Sequence, residues 1–371
     1  NLSYDKGSHV KLSGLADNYK IFDLSALTEK NAADEFDLRA GEGLVLIKDE
    51  TAKASTVKSS EKDFTDEFSV SSVTENYLVM DYCQIARGNA EFGKVRPIYG
   101  HFEDLLREDY KGELGVKQTF KLNEIMPLTF VMEKAYIKRL TVNGKPVTLR
   151  RGTFDVNFVE ADITDKLVVG ENEIVYTFDF YEHDGVNFAL FDPLATESLR
   201  NCLYYDTSIE TTYLRGDFVV EKDHSLSPRK TLPAVTDKLY ENGYPFFKGQ
   251  IVYKGKIVKP TDGRAILRLD GRFMTADIKT ANGEVDFVLD DRGDITDILS
   301  DGENEVTITV NSSLRNLFGP HHFKPEPEPL GVNPSNFEFL GQWENGNPEN
   351  YTDEYNSVPF GIKSVTLVNE K

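Results

Sequence analysis

Five short motifs occur twice in this chain, in the same order. Tyr110-Lys111-Gly112-Glu113 is answered by Phe247-Lys248-Gly249-Gln250, and Val142-Asn143-Gly144-Lys145 by Ala281-Asn282-Gly283-Glu284. Asp162-Ile163-Thr164-Asp165 has its counterpart in Asp294-Ile295-Thr296-Asp297, and Gly170-Glu171-Asn172-Glu173-Ile174 in Gly302-Glu303-Asn304-Glu305-Val306. Ser198-Leu199-Arg200-Asn201 is matched last, by Ser313-Leu314-Arg315-Asn316. The offsets are 137, 139, 132, 132 and 115 residues, the pattern of a duplicated unit. The fold must therefore close its core within one copy and then repeat it.

The anchors read as punctuation between strands. Asn-Gly flanked by apolar alternation favours a type I′ hairpin turn, in which both central residues take positive φ. Ahead of the first Asn-Gly, Leu128, Phe130 and Met132 fall on one face of an extended run. After each Gly-Glu-Asn-Glu turn the alternation returns, as Ile174, Tyr176 and Phe178 in one copy and Val306, Ile308 and Val310 in the other. The Asp-Ile-Thr motifs read as a loop or helical turn. Helix is a minor component: Phe102, Leu105 and Leu106 mark one short amphipathic segment, with Leu239 and Tyr240 in the matching place. The copies differ by insertion. From Gly170 to Ser198 is 28 residues, but from Gly302 to Ser313 only 11, and the surplus lies around 181–191. The second copy instead carries an excursion from the alternating prolines of 324–329 as far as Tyr355, where proline favours an extended path without ladder hydrogen bonds.

Composition agrees with strands, since 17 Tyr and 24 Phe stand against one Trp and four Met. With 42 basic and 62 acidic side chains the formal charge is −20, a field that repels nucleic acid and anionic lipid, so neither is an expected partner. Apolar runs such as Leu44-Val45-Leu46-Ile47 are too short to span a bilayer. Cys83 and Cys202 are too few for a disulfide scaffold and lack zinc-site spacing, so both are expected as buried, reduced thiols.

Ahead of the repeat, short strands at 9–12, 19–22 and 43–47 predict a small β segment over 1–51, too small to close a sandwich. Residues 52–61 have linker composition, and the modules are expected at 62–222 and 223–371. The small leading segment reads as the tail of a preceding domain. No leader follows Asn1, so the compartment, bacterial cytoplasm or secreted, stays open.

Asn143-Gly144, Asp162-Ile163-Thr164 and Gly170-Glu171-Asn172, with Asn282-Gly283, Asp294-Ile295-Thr296 and Gly302-Glu303-Asn304, resemble a known pattern. Similar motifs occur in the galactose-binding-like jelly-roll accessory domains of large bacterial glycoside hydrolases, of the family 2 and α-L-rhamnosidase types. Leu214-Arg215-Gly216-Asp217-Phe218 and the run from Arg315 to His322 are similar to the segments on the C-terminal side of such modules. The resemblance covers roughly 66–370. It implies a mostly-β protein of two tandem jelly-roll β-sandwiches behind a small β-sheet segment. It further implies a non-catalytic region that supports a catalytic barrel, whose ~250-residue strand-and-helix pattern is absent here. Its partners would be carbohydrate or that catalytic domain of the same chain. Two other classes remain: a stand-alone lectin-like or adhesion protein, and a small enzyme with an inter-module carboxylate site.

Glycoside hydrolysis needs two carboxyl groups facing across a sugar, one with a raised pKa. Glu182 with Asp184 beside His183, and Asp206 with Glu210, are the best local clusters, but their setting reads as solvated loop, and no catalytic residue is assigned. Ligands adjacent on a strand point to opposite faces, which argues against a metal at 182–184. No cofactor is expected. Loop oxygens of jelly rolls can hold structural calcium, although no EF-hand-like ligand ladder is present. Sugar binding by such modules rests on an aromatic platform flanked by carboxylates and amides. Trp343, Glu344 and Tyr351 offer that chemistry, and Trp343 fits equally a clamp for its own loop. His321-His322 fits either a hydrogen-bonding pair at a sugar or interface site, or a loop anchor with one imidazole packed and the other exposed. Tyr204, Tyr205 and Tyr213 read as core or inter-module contacts.

Overall fold

Alternation decides the first sandwich. Strand Gly112–Leu122 buries Leu114, Val116, Phe120 and Leu122, and pairs antiparallel along its whole length with Gly170–Phe180, placing Val116 opposite Tyr176 and Leu114 opposite Phe178. The sheet extends through Tyr82–Arg87 on one side and Arg139–Val142 on the other. Its facing sheet has five strands in the order Arg150–Arg151, Phe158–Asp162, Leu128–Glu133, Thr212–Gly216, Asn76–Met80. Phe130 and Leu214 of this sheet share one apolar cluster with Leu114 and Val116 of the other. At roughly 1.5–3 kcal/mol for each large side chain buried, this shared layer holds the two sheets face to face.

The computed structural model describes residues 7–14, 16–23, 28–38, 42–54, 59–153, 155–288, 290–322 and 351–371. A second sandwich follows the same logic. Strand Glu303–Asn311 buries Val306, Ile308 and Val310 and lies between Gln250–Val258 and Thr275–Thr280. The facing sheet includes Arg292–Asp294, Arg264–Arg272 and Gly361–Glu370, and the backbone N–H of Ile362 donates to the Tyr253 hydroxyl at 3.1 Å across the core. The protein is mostly β, as expected. One strand lies away from its sequence neighbours: Ser69–Val73 pairs with Gln250–Val258, whereas Leu226–Pro228 pairs with the preceding strand Phe218–Val220 and meets Leu122 of the first sandwich. Period-2 patterning says that a segment is a strand but not which strand it joins.

The chain divides into two compact units: 1–62 with 260–266 and 368–371, and 63–259 with 267–367. In the smaller one, Ser8–Lys11 pairs with Glu35–Leu38, and Tyr19–Asp23 lies between Thr28–Asn31 and Val45–Lys48. Leu12, Ala16, Ile21 and Ala32 form its core. Both sandwiches lie mainly in the larger unit. No helix of the described residues is long and apolar enough to cross a membrane. The helix Ile98–Arg107 buries Leu105 and Leu106 as its spacing indicates, and the surplus near 181–191 folds into the helix Asp184–Phe191.

Equivalent motifs take equivalent local structures. Asp162 accepts the Thr164 N–H and Asp294 the Thr296 N–H, each at 2.9 Å, ahead of the 3-10 turns Thr164–Lys166 and Thr296–Ile298. Buried Asn172 accepts the Val168 N–H at 2.9 Å and donates to the Val168 and Gly170 carbonyls at 2.8 and 3.0 Å. Asn304 repeats this with the Ser300 N–H at 2.8 Å and the Ser300 and Gly302 carbonyls at 2.8 and 3.0 Å. One amide side chain thus satisfies the whole turn.

The hairpins differ. Asn143 and Gly144 take φ of 50° and 74°, the expected type I′ turn. In the second copy Thr280 pairs with Gly283, so the two-residue loop is Ala281-Asn282 and Asn282 does not take positive φ. The Thr280 hydroxyl accepts the Asn282 N–H at 3.2 Å and stabilises this shifted register. Cysteine burial is also corrected: Cys83 is buried, but Cys202 is exposed in the loop that follows the short helix Glu197–Asn201.

Replacing Asn172 or Asn304 by alanine strands the buried groups of its turn, and each change is expected to cost about 1–3 kcal/mol. Urea denaturation of each variant beside the parent chain measures this; a loss below about 0.5 kcal/mol in both would show that water serves the turns equally well.

Candidate functional site

The short helix Arg315–Phe318 ends at Gly319, whose φ of 82° and lack of a side chain are both required, since a Cβ there would lie 2.8 Å from the His321 nitrogen. A cis Gly319–Pro320 peptide follows, and His321 and His322 are both carried inward. His322 Nε2 lies 2.9 Å from Asp81 Oδ2, with both side chains 4% exposed, and its Nδ1 lies 2.9 Å from the Thr352 carbonyl. A carboxylate and a carbonyl only accept, so both ring nitrogens carry protons and His322 is an imidazolium. The Tyr355 hydroxyl donates to the other Asp81 oxygen at 2.7 Å. Three tyrosines surround the pair: Tyr351 stacks on His322 at 5.1 Å, Tyr355 lies tilted at 4.5 Å and Tyr82 edge-on at 5.6 Å. Burial pushes the Asp81 carboxyl up, but the His322 and Tyr355 hydrogen bonds outweigh it and hold the group below its usual range. Burial likewise pushes His322 down, and Asp81 more than reverses it.

His321 is the opposite case. Its Nε2 lies 3.1 Å from the Leu317 carbonyl and so carries the proton, leaving Nδ1 a bare acceptor that is buried without a partner among the described residues. Burial and the charge of His322 lower this imidazole to about 4, against the pull of Asp81.

His321 lines a cavity of about 180 Å³ at one end of the five-stranded sheet. Glu133 ends the central strand there and sits directly opposite Phe158 in register, while Glu210 and Thr211 lead into the neighbouring strand Thr212–Gly216. Tyr99, Tyr213 and Phe318 complete the walls, with Phe158 stacked against Phe318 at 6.2 Å. Partial burial raises the Glu133 carboxyl, and the charges of Glu210 and Asp155 raise it further. The arrangement offers aromatic faces and hydrogen-bond acceptors around a space below the roughly 300–1,000 Å³ of ordinary ligand pockets, room for a single small ring.

Solved structures that this chain resembles in part are glycosidases. A β-D-mannosidase of Dictyoglomus thermophilum matches at 12% identity and TM-score 0.26, over 64% of this chain and 31% of its own. For a β-glucuronidase of Ruminococcus gnavus the values are 13%, 0.28, 67% and 40%, and for a β-D-glucuronidase of D. thermophilum 14%, 0.28, 65% and 39%. The chain thus spans less than half the length of each. No family model and no curated protein matches it.

Of the residues singled out from the sequence, His321 lines the cavity, while His322 and Tyr351 are spent on the buried ion pair beside it. Both histidines are buried, so the expected exposed partner does not exist: Asp81, distant in sequence, supplies the charge that draws His322 inward. Trp343 and Glu344 lie outside the described residues. Glu182 accepts the backbone N–H groups of Asp206 and Thr207 at 2.7 and 2.9 Å, and Asp206 holds His183 Nδ1 at 2.7 Å, so Asp206 is not a partner of Glu210. The ligand atoms of Glu182, His183 and Asp206 lie within 4.8 Å of one another, a grouping that adjacency in sequence did not suggest. Tyr213 is buried as expected, but Tyr204 and Tyr205 are exposed, because the segment they occupy runs over the surface between the short helix Glu197–Asn201 and the strand at 212. Glu133 was missed, since a charged residue closing an alternating strand looks like any solvated edge.

Removing one partner of a buried pair leaves an uncompensated charge, so Asp81→Asn or His322→Asn is expected to destabilise by about 3–5 kcal/mol. The pH dependence separates the two histidines. The raised His322 contributes stability that is complete below about 6.5 and lost as pH rises through its folded value. His321, lowered to about 4, makes the fold lose stability as pH falls from about 6.5 toward 4, because only the unfolded chain takes up that proton. Denaturation midpoints across pH 4–9 should show a flattened acid limb in His321→Gln and a flattened alkaline limb in His322→Asn; unchanged limbs would reject both assignments.

Proposed function

We propose that this chain is the carbohydrate-holding, non-catalytic part of a glycoside hydrolase, built from two copies of one β-sandwich near 62–222 and 223–371. The observation that carries this reading is the cavity at the end of the first sandwich, where Glu133, Glu210 and His321 meet the rings of Tyr99, Phe158 and Phe318. A pyranose has apolar C–H faces and a rim of hydroxyls, and this combination of rings and acceptors complements both. His321 is the residue through which the sequence expectation and the cavity coincide. His322 and Tyr351 act one step away, by holding the 319–322 segment in place.

Glycan-array screening followed by calorimetry on the full chain tests the reading. A bound sugar is expected, with Glu133→Ala weakening it about tenfold or more, as loss of a hydrogen bond to a charged group would. Glu133 is exposed, so the variant should melt with the parent. Absence of any glycan ligand, or equal binding by the variant, rejects the site. Turnover of aryl-glycosides by the purified chain rejects the non-catalytic role.

A further inference from the structure

The polar side chains lining the cavity are unbalanced in charge. Glu133 and Glu210 supply two carboxylates, close enough for Glu210 to disfavour ionisation of Glu133, and Asp155 adds a third negative charge. Neither lining glutamate forms an ion pair or hydrogen bond among the described residues, whereas the acidic Glu160 of the same sheet is held by Arg150 and Arg215 at 3.3 and 3.2 Å. Among the described residues no Lys or Arg lines the cavity. An independent feature points the same way. His321, only 8% exposed, lines the cavity with a neutral imidazole whose Nδ1 has no partner among the described residues, and a bare Nδ1 only accepts. Burial without a partner disfavours such an atom, so an occupant that donates to it supplies a favourable hydrogen bond. The rings of Tyr99, Phe158 and Phe318 line the same space, and an aromatic ring attracts a cation held over its face.

We propose that the cavity selects a sugar bearing a free primary ammonium, an amino sugar, over neutral sugars and against uronic acids. This rests on the carbohydrate reading above. The ammonium supplies three donors and the positive charge that Glu133 and Glu210 lack, while a uronate would bring a further negative charge beside these two carboxylates.

Titration of the full chain with D-glucosamine, D-glucose, N-acetyl-D-glucosamine and D-glucuronate, followed by ligand-observed NMR, tests the selection. Glucosamine is expected to bind about tenfold tighter than glucose, N-acetylglucosamine to fall back to the glucose level, and glucuronate to show no binding. Glu210→Gln, on an exposed side chain, should cut the glucosamine preference over glucose to about threefold or less. Equal binding of glucosamine and glucose, or retention of the full preference in Glu210→Gln, overturns the charge selection while leaving the carbohydrate reading intact. Failure of all four sugars, with a glycan array also blank, overturns both.

Discussion

The contact on which the rest of the site depends is the buried pair between Asp81 and His322. Taking two charges out of water costs several kcal/mol each, and the pair persists only because its remaining valences are filled. The Thr352 carbonyl takes the second imidazolium proton, the Tyr355 hydroxyl takes the second Asp81 oxygen, and three tyrosine rings exclude water. Asp81 comes directly after the strand Asn76–Met80, so the pair pins the 319–322 and 351–355 segments to a fixed edge of the first sandwich. Phe318 and His321 are thereby delivered to the end of the five-stranded sheet, and the cavity acquires a wall that its own strands do not supply.

The opposite charge states of two adjacent histidines have their origin in the same geometry. Once His322 is protonated beside Asp81, a second buried proton on His321 would face like charge with no carboxylate of its own. The Leu317 carbonyl then selects which nitrogen of the neutral ring keeps its proton, and Nδ1 is left bare. The acceptor character of His321 is therefore a consequence of the ion pair next to it.

The fold was legible where local chemistry and period agree. Ile174, Tyr176 and Phe178 announce a half-buried strand, and the Asp-Ile-Thr and Gly-Glu-Asn motifs announce turns, because each of these is decided within a few residues. What stayed hidden was long-range. Nothing in Ser69–Val73 names Gln250–Val258 as its partner, and nothing near Asp81 names His322, 241 residues away. The second Asn-Gly illustrates the boundary: its turn chemistry pointed to one register, and the Thr280 hydroxyl stabilised another. The site was half legible. His321 stood out as an unusual residue in a Gly-Pro setting, whereas Glu133 acquires meaning only through Phe158, Glu210 and the cavity they share.

That contrast also distinguishes structural carboxylates from available ones in so acidic a chain. Glu160 is buried and engaged by two arginines, and both Glu182 oxygens accept backbone N–H groups, so each helps to hold the fold. Both would have ranked as catalytic candidates on burial alone. Glu133 and Glu210 instead sit exposed beside a cavity, with aromatic faces and an unfilled imidazole acceptor for company. A buried acid whose partners are all supplied by the protein stabilises the fold and has no capacity left for a ligand. The charge of Glu210 disfavours ionisation of Glu133, and a positively charged occupant relieves that repulsion while both carboxylates stay ionised.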